Sequence, residues 1–221
     1  MEILLSAKNI SKTFQGRRVL DNIDIEINNA EIVAISGPSG AGKTTLLNIL
    51  STLDKPDESN KSSLIIDNEE IFSLGKNGLA NLRNQKIGFV FQFHELIPEL
   101  SVLENVCLPG WIKKDNDVKK KAEELLKYFG LEDFTNKKPL TLSGGEKQRV
   151  AIARSLVNNP KIIFADEPTG NLDSKNSKIL FDLFFKLRDD YNCSVVIVTH
   201  DENSANICDR KLLIVDGKIK N

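Results

Sequence analysis

The chain has 221 residues, 40% of them hydrophobic and 28% charged, which is the composition of one globular unit that buries roughly 70% of its unfolded surface. Its formal net charge of −1, without a dominant cluster of Lys and Arg, gives a nucleic-acid partner no electrostatic support. No apolar run approaches the ~20 residues of a membrane span, so we expect a soluble chain that, if it serves a membrane, does so as a peripheral subunit.

Apolar residues that alternate with polar ones predict strands, and apolar residues three or four positions apart predict helices. The predicted strands are residues 2–10, 19–27, 31–36, 63–67, 87–91, 161–167, 194–199, 212–215 and 218–219. The predicted helices are residues 43–53, 79–85, 117–129, 143–158 and 174–191. Residues 54–63 are polar and interrupted by proline, which predicts a surface loop.

Phe14 is an isolated aromatic residue in a polar stretch between the first two predicted strands. A ring in this position can stack on a purine base, or it can fill a gap in the core. Spacing alone leaves both interpretations open.

Residues 37–44 match the pattern G-x-x-x-x-G-K-[ST] and directly follow a short apolar strand. Gly37, Gly40 and Gly42 allow positive φ and a close approach of the backbone, so that N–H groups can point at phosphate oxygens. The alternative is a glycine-rich turn without a ligand. The order of strand, loop and helix favours a phosphate cradle because the cradle requires that order.

The helix that follows the cradle adds its positive N-terminus to the same site. Lys43 is predicted to reach the β- and γ-phosphates as a point charge, and Thr44 to offer its hydroxyl group to Mg²⁺. We therefore expect a bound nucleotide.

Gln92 ends the predicted strand 87–91, where it can complete a Mg²⁺ shell or position water, or is only a polar strand terminus. The stretch after it is dense in large apolar residues, namely Phe93, Leu96, Ile97 and Leu100. We expect some of them to face outward and mark a contact with a partner. The alternative is that all four pack in the core of their own segment.

Ser143 and Glu146 have the spacing of a capping box, as do Ser101 and Glu104. Gly144 and Gly145 leave backbone N–H groups bare at the start of a predicted helix, which indicates a second anion site. A well-capped helix without a ligand is the alternative, but it gives no reason for two adjacent glycines.

Asp166 and Glu167 end a buried strand with two adjacent carboxylates. Asp166 is predicted to hold Mg²⁺ through water, and Glu167 to accept a proton from the attacking water. His200 follows the strand 194–199, at the edge where open α/β sheets bind ligands, although a lone histidine is often structural.

The order of these motifs resembles the ATP-binding subunit of an ABC transporter over essentially the whole chain. Its most specific mark is the sequence Leu-Ser-Gly-Gly at residues 142–145, and Asn-Leu-Asp at residues 171–173 adds to the resemblance. The resemblance implies an α/β fold with a P-loop NTPase core, a mostly parallel sheet, an antiparallel β flank and a helical insert. It implies a single nucleotide-binding domain, residues 1–221, with the core at 1–92 and 159–221 and the insert at about 93–158.

The resemblance also implies ATP and Mg²⁺ as ligands and a role for each matching residue. The implied catalytic residues are Glu167, His200, Gln92 and Lys43. The implied ATP-binding residues are Phe14, Gly37, Ser39, Gly40, Ala41, Gly42, Lys43, Thr44, Thr45, Ser143, Gly144 and Gly145. The implied metal-binding residues are Thr44, Gln92 and Asp166.

In such a family the chain is expected to form a homodimer around two ATP molecules and to drive integral-membrane permease subunits on separate chains, from the cytoplasmic face of the inner membrane. Residues 93–98, 101–106 and 169–174 are similar to the branch of bacterial lipoprotein-releasing ATPases and their macrolide-exporter relatives, and lipoprotein release from the inner membrane is the expected function. The alternatives are a macrolide or peptide exporter, a divisome-type regulator, or a soluble ATPase of a cytosolic assembly. No nucleic-acid partner is expected.

Overall fold

The computed structural model describes residues 2–59, 61–170 and 172–220. Asn171, in the segment 171–173 that contributes to the family resemblance, lies outside the described residues. The strands are β1 Ile3–Phe14, β2 Arg17–Asn28, β3 Ile32–Ser36, β4 Ser63–Ile66, β5 Glu69–Glu70, β6 Ile87–Val90, β7 Ile162–Asp166, β8 Ser194–Val198, β9 Arg210–Val215 and β10 Lys218–Lys220. The α-helices are α1 Lys43–Leu50, α2 Lys76–Lys86, α3 Val102–Lys113, α4 Val118–Tyr128, α5 Gly144–Leu156, α6 Ser174–Tyr191 and α7 Glu202–Asn206.

The strands form two sheets. The larger one has the order β10-β9-β3-β8-β7-β6, in which all neighbours are parallel except the terminal hairpin of β9 and β10. The smaller one, β2-β1-β4-β5, is antiparallel throughout. The predicted fold class, an α/β protein with a mostly parallel sheet and an antiparallel β flank, is confirmed.

The large sheet is buried on both faces, which is why its central strands are runs of apolar residues without alternation. Side chains still alternate between the two faces. Ile163 and Ala165 of β7 belong to the hydrophobic cluster that contains α3, α4, α5 and α6. Ile162 and Phe164 belong to the cluster on the other face, with α1 and the antiparallel sheet.

Residues 93–158 contain three of the helices, and α3 packs against both α4 and α5. Their core is continuous with one face of the large sheet, since Val150 and Val106 share a cluster with Val195. The division into a core and an insert stays a prediction.

The end of β1 differs from the prediction. Phe14 does not lie in a polar loop but is the last residue of β1, and it pairs with Arg17 across a two-residue turn. The turn residues Gln15 and Gly16 both have positive φ, 48° and 81°, as tight hairpin turns that match the strand twist require.

The sequence pattern did not predict the helix α7, because its five residues are too few to show a helical period. Among the described residues, no helix combines the length and the hydropathy that a membrane crossing needs.

Candidate functional site

The loop between β3 and α1 has the backbone geometry that the glycines predict. Gly37, Gly40 and Gly42 have φ of 145°, 77° and 102°. A Cβ on Gly37 would lie 2.1 Å from the carbonyl oxygen of Ile214, and a Cβ on Gly42 would lie 2.9 Å from that of Val19. Glycine is therefore required at residues 37 and 42 by close packing as well as by φ.

Lys43 is held by the loop that it follows. Its Nζ donates to the carbonyl oxygens of Gly37, at 2.9 Å, and Pro38, at 3.0 Å, and the residue is only 9% exposed. The helix α1 has no side-chain cap at Gly42, so its first N–H groups remain available to a ligand. An ammonium group and a bare helix N-terminus are the groups that anion sites in proteins use.

Thr44 and Asp166 bring two oxygen ligands together. The hydroxyl group of Thr44 donates to Oδ1 of Asp166 at 3.2 Å. Burial raises the pKa of Asp166, an effect that the Thr44 hydrogen bond opposes. Hydroxyl and carboxylate oxygens suit Mg²⁺, which usually takes one or two carboxylates and completes its shell with phosphate and water. Within the described residues, no three His, Cys, Asp or Glu side chains cluster in a way that could hold a metal ion.

Glu167 and His200 meet at the carboxyl edge of the large sheet. Oε2 of Glu167 lies 2.9 Å from Nδ1 of His200. Glu167 has a φ of 45°, and its N–H donates to the carbonyl of Val198, which fixes the turn after β7. Its side chain is 17% exposed and that of His200 is 71% exposed, so the pair borders an open space.

A cleft of about 330 Å³ lies between several of these groups, although Asp166 and His200 do not line it. It is lined by the predicted residues Ser39, Gly40, Gly42, Lys43, Thr44 and Thr45, together with Glu167. Ala41 is buried behind it, and its N–H bonds to the carbonyl of Pro38. The chain thus places a cation, a helix N-terminus and a carboxylate around one space.

Val19 also lines this cleft, and sequence reasoning missed it. The strand pairing shifts between Lys12 with Leu20 and Thr13 with Arg18, which leaves Val19 as the extra residue of a β-bulge. The period-two pattern of β2 gives no sign of this bulge.

Gln92 lies against the turn that follows Glu167. A Cβ on Gly170 would be 2.8 Å from Nε2 of Gln92 and 3.4 Å from the carbonyl oxygen of Glu167. The residues after Gln92 are held from α5, because Arg154 donates to the carbonyl oxygens of His94, at 2.8 Å, and of Glu95, at 2.5 Å. The residues at 94 and 95 both have positive φ, 64° and 48°, which is costly without glycine. The Arg154 contacts were not predicted.

Ser143, Gly144 and Gly145 start α5 but are not among the residues that line the cleft of their own chain. Ser143 Oγ accepts from the N–H of Glu146, and the Glu146 carboxylate accepts from the N–H of Ser143, which confirms the capping box. Hydrogen bonds from Ser143 hold the pKa of Glu146 below its usual value. Ser143 and Gly144 are exposed, so the second predicted anion site faces outward.

The apolar residues after Gln92 divide into two groups. Phe93 is 70% exposed and Ile97 is 40% exposed, as expected for a contact surface. Leu96, however, packs against the core. A groove of about 530 Å³ lies nearby, and its apolar lining comes mainly from Phe89, Phe91, Leu108, Pro109 and the 72% exposed Ile112. The groove is therefore formed largely by residues outside the predicted stretch.

Comparisons with known proteins agree with this geometry. A family model described as ABC transporter matches residues 20–170. The lipoprotein-releasing system ATP-binding protein LolD of Bacteroides thetaiotaomicron is 49% identical over 98% of this chain and 99% of its own length. The protein of the same name from Aquifex aeolicus is 46% identical over 99% of this chain and 97% of its own length.

Two solved structures have the same fold. The ATP-binding cassette MJ0796, in a dimeric post-hydrolysis state bound to ADP and Pi, has a TM-score of 0.88 and 44% identity, and the match covers 98% of this chain and 97% of that one. CbiO1 from Clostridium perfringens, part of the ABC transporter complex cbiONQ, has a TM-score of 0.90 and 28% identity, with 100% of this chain and 88% of that one covered.

Proposed function

Because this chain belongs to the ABC transporter family as one of its ATP-hydrolysing subunits, we propose that it powers the release of lipoproteins from a bacterial inner membrane. The observation that carries ATP hydrolysis is the single cleft that brings together Lys43, Thr44 and Glu167. Lipoprotein release is supported by relatives of that name that align with this chain over nearly their whole length. The same relatives favour lipoprotein release over macrolide or peptide export.

The chemistry assigned to the cleft follows from its charges. Glu167 accepts the proton of the attacking water, and His200 holds the Glu167 carboxylate in place through the 2.9 Å contact. Lys43 places its charge on the β- and γ-phosphates. Thr44 and Asp166, with Gln92, would hold Mg²⁺, which when bound neutralises phosphate charge. Phe14 takes the base.

We assign the outward-facing Ser143, Gly144 and Gly145 to the ATP of a second copy of this chain. A twofold pairing places each capped helix N-terminus against the cradle of the partner, so two ATP molecules join the dimer. The dimer of MJ0796 bound to ADP and Pi supports this arrangement. Loss of the γ-phosphate would remove the shared ligand and let the two copies separate.

The apolar groove around Phe91 and Ile112 is assigned to the permease, on a separate chain at the cytoplasmic face of the membrane. The groove lies next to Gln92, and Arg154 binds the segment after Gln92 to α5. This arrangement allows a change at the bound nucleotide to alter the shape of the groove that contacts the permease. In this assignment residues 93–158 act as the insert, and residues 1–92 and 159–221 act as the core. No nucleic-acid partner is part of the proposal.

Depletion of the chain in its own cell tests the proposed function. Lipoproteins should then accumulate in the inner membrane, and re-expression of the wild-type chain, but not of Lys43→Ala, should restore their release. If lipoprotein distribution stays normal while export of a drug or peptide fails, lipoprotein release is wrong and the exporter alternative holds.

A further inference from the structure

Lys12 is fixed beside the ring of Phe14. Its Nζ lies 5.1 Å from the ring centroid, within the range of a cation–π contact. The same ammonium group contacts both carboxylate oxygens of Asp54, at 2.8 and 2.9 Å, and donates to the carbonyl oxygen of Lys55 at 2.5 Å. The Lys12 side chain is only 14% exposed. The cation is therefore held in place by several acceptors and covers one part of the ring.

The loop that holds Lys12 also holds the next residue of the strand. Thr13 donates to the carboxylate of Asp57 through its N–H, at 3.0 Å, and through its hydroxyl group, at 2.7 Å. Asp54 and Asp57 of this loop therefore contact two successive residues at the end of β1. This end of the strand is thus fixed by the loop as well as by its pairing with β2.

The ring lies on the face of the hairpin that meets the phosphate cradle. Lys12 pairs with Leu20, and a Cβ on Gly42 of the cradle would lie 2.8 Å from the Leu20 side chain. Cross-strand partners share a face, and so do residues two apart on a strand, which places Phe14 on that same face. Phe14 is 47% exposed, so part of its ring remains open to a ligand.

We propose that Lys12 is a positioning residue for base recognition: anchored by Asp54, it holds the Phe14 ring in one orientation and leaves the other ring face for the purine of the bound nucleotide. This inference rests on the nucleotide site of the proposed function and deepens it. A ring that is already ordered loses less side-chain freedom when the base stacks on it, so affinity for the base rises without a direct contact from Lys12.

The test separates base recognition from phosphate binding. Affinities for ATP and for ribose 5′-triphosphate, which lacks the base, are measured by calorimetry with Mg²⁺ for the wild type, Lys12→Met, Lys12→Arg and Phe14→Ala. Lys12→Met keeps the aliphatic stem but removes the cation. We expect it to weaken ATP binding about threefold to tenfold and to leave ribose 5′-triphosphate unaffected. Lys12→Arg keeps the cation and should bind ATP nearly as tightly as the wild type. Lys8→Met, at an exposed position on the same strand, should change the affinity for neither ligand.

In steady-state kinetics Lys12→Met should raise KM for ATP and leave kcat nearly unchanged. An equal loss of affinity for both ligands would show that Lys12 only stabilises the fold, and would overturn the proposal. The proposal would also be overturned if Lys12→Met bound ATP with wild-type affinity while Phe14→Ala bound ATP weakly. If Phe14→Ala keeps full ATP affinity, the base site assigned to Phe14 is wrong, and if the wild type binds neither ligand, the nucleotide site of the proposed function is wrong.

Discussion

Oε2 of Glu167 lies 2.9 Å from Nδ1 of His200, although 33 positions separate the two residues in the chain. They meet because β7 and β8 are parallel neighbours with Asp166 opposite Val198, so the residues that follow both strands emerge at the same edge. The same oxygen of Glu167 also accepts a hydrogen bond from the backbone N–H of His200, at 3.4 Å. The contact therefore fixes the orientation of both side chains.

Glu167→Gln should keep ATP binding and lower hydrolysis by ~10²–10⁴, because the amide cannot accept the proton of water. With ATP and Mg²⁺ the variant should sediment as a dimer that persists, since the shared γ-phosphate is not removed. Glu202→Gln on α7 is the matched control, because its carboxylate contacts Lys211 and lies outside the cleft. A Glu167→Gln variant that stays monomeric at high concentration and hydrolyses ATP normally would show that Glu167 is not the base.

Lys43→Ala and Ser143→Ala should both lose hydrolysis, but for different reasons. The first removes a phosphate contact within one chain, whereas the second spares ATP binding to the monomer and removes the contact with the partner. Mixing the two variants should restore part of the activity, because a mixed dimer contains one site with an intact Lys43 and an intact Ser143.

Ser101→Ala is the control for this mixing experiment. It removes the same kind of capping box from α3, at a similar cost of about 1 kcal/mol, far from the cradle in sequence and outside the cleft. The Ser101→Ala variant should therefore hydrolyse ATP by itself, without being mixed with a second variant. Activity of the mixture no higher than that of either parent would argue against shared sites.

Ile112→Arg should keep basal ATP hydrolysis and lose association with the permease, because a charge placed in an apolar groove is costly to bury without a partner. Ile112 is a better test than Leu96, whose side chain packs against the core and whose replacement by arginine would damage the fold. Ile65→Arg, at a 39% exposed position on β4, is the matched control. Recovery of the same membrane protein with undiminished yield by Ile112→Arg would place the docking site elsewhere.

Asp166→Asn should raise the Tm of the nucleotide-free protein at neutral pH while it abolishes Mg²⁺-dependent hydrolysis. Burial raises the pKa of Asp166 in the folded state, so its ionised form lowers stability. That penalty is complete above the raised pKa and is relieved as the pH falls through it toward the ordinary value of 3.8. The Tm difference should therefore narrow with falling pH.

Asp182→Asn, at an exposed position of α6, is the control for this measurement and should shift Tm little at any pH. Scanning calorimetry in matched buffers gives both values. A lower Tm for Asp166→Asn at neutral pH would mean that the contacts of the ionised carboxylate with Thr44 and Lys43 outweigh the cost of burial.

Patterns that are local in the sequence predicted most of the fold. The strand β8 is buried at all five positions and is an apolar run in the sequence. The helix α6 has the predicted bounds, and Ser101 and Ser143 both form the capping boxes that their spacing indicates. These features depend on neighbours within a few residues, which is why the sequence alone reveals them.

Contacts between distant segments could not be predicted in the same way. Arg154 binds the carbonyl oxygens of His94 and Glu95, and a carbonyl acceptor leaves no mark in a sequence because every residue has one. Val19 enters the cleft through a bulge that depends on the pairing of two strands. The motif residues of the cleft were predictable because phosphate binding demands particular residue types, whereas their supports were not.

The order of strands in the large sheet has a consequence for the folding of the chain during translation. β3 and β6 are made early, yet they are separated in the sheet by β8 and β7, which are made late. Until Ile162–Asp166 has been translated, both early strands lack every neighbour that they have in the sheet, and β3 stays without one until Ser194–Val198 follows. Their unpaired apolar edges invite wrong pairing during that time. A ribosome that stalls within α6 therefore leaves a product that lacks β8 and His200, in which β3 has no partner strand from the large sheet.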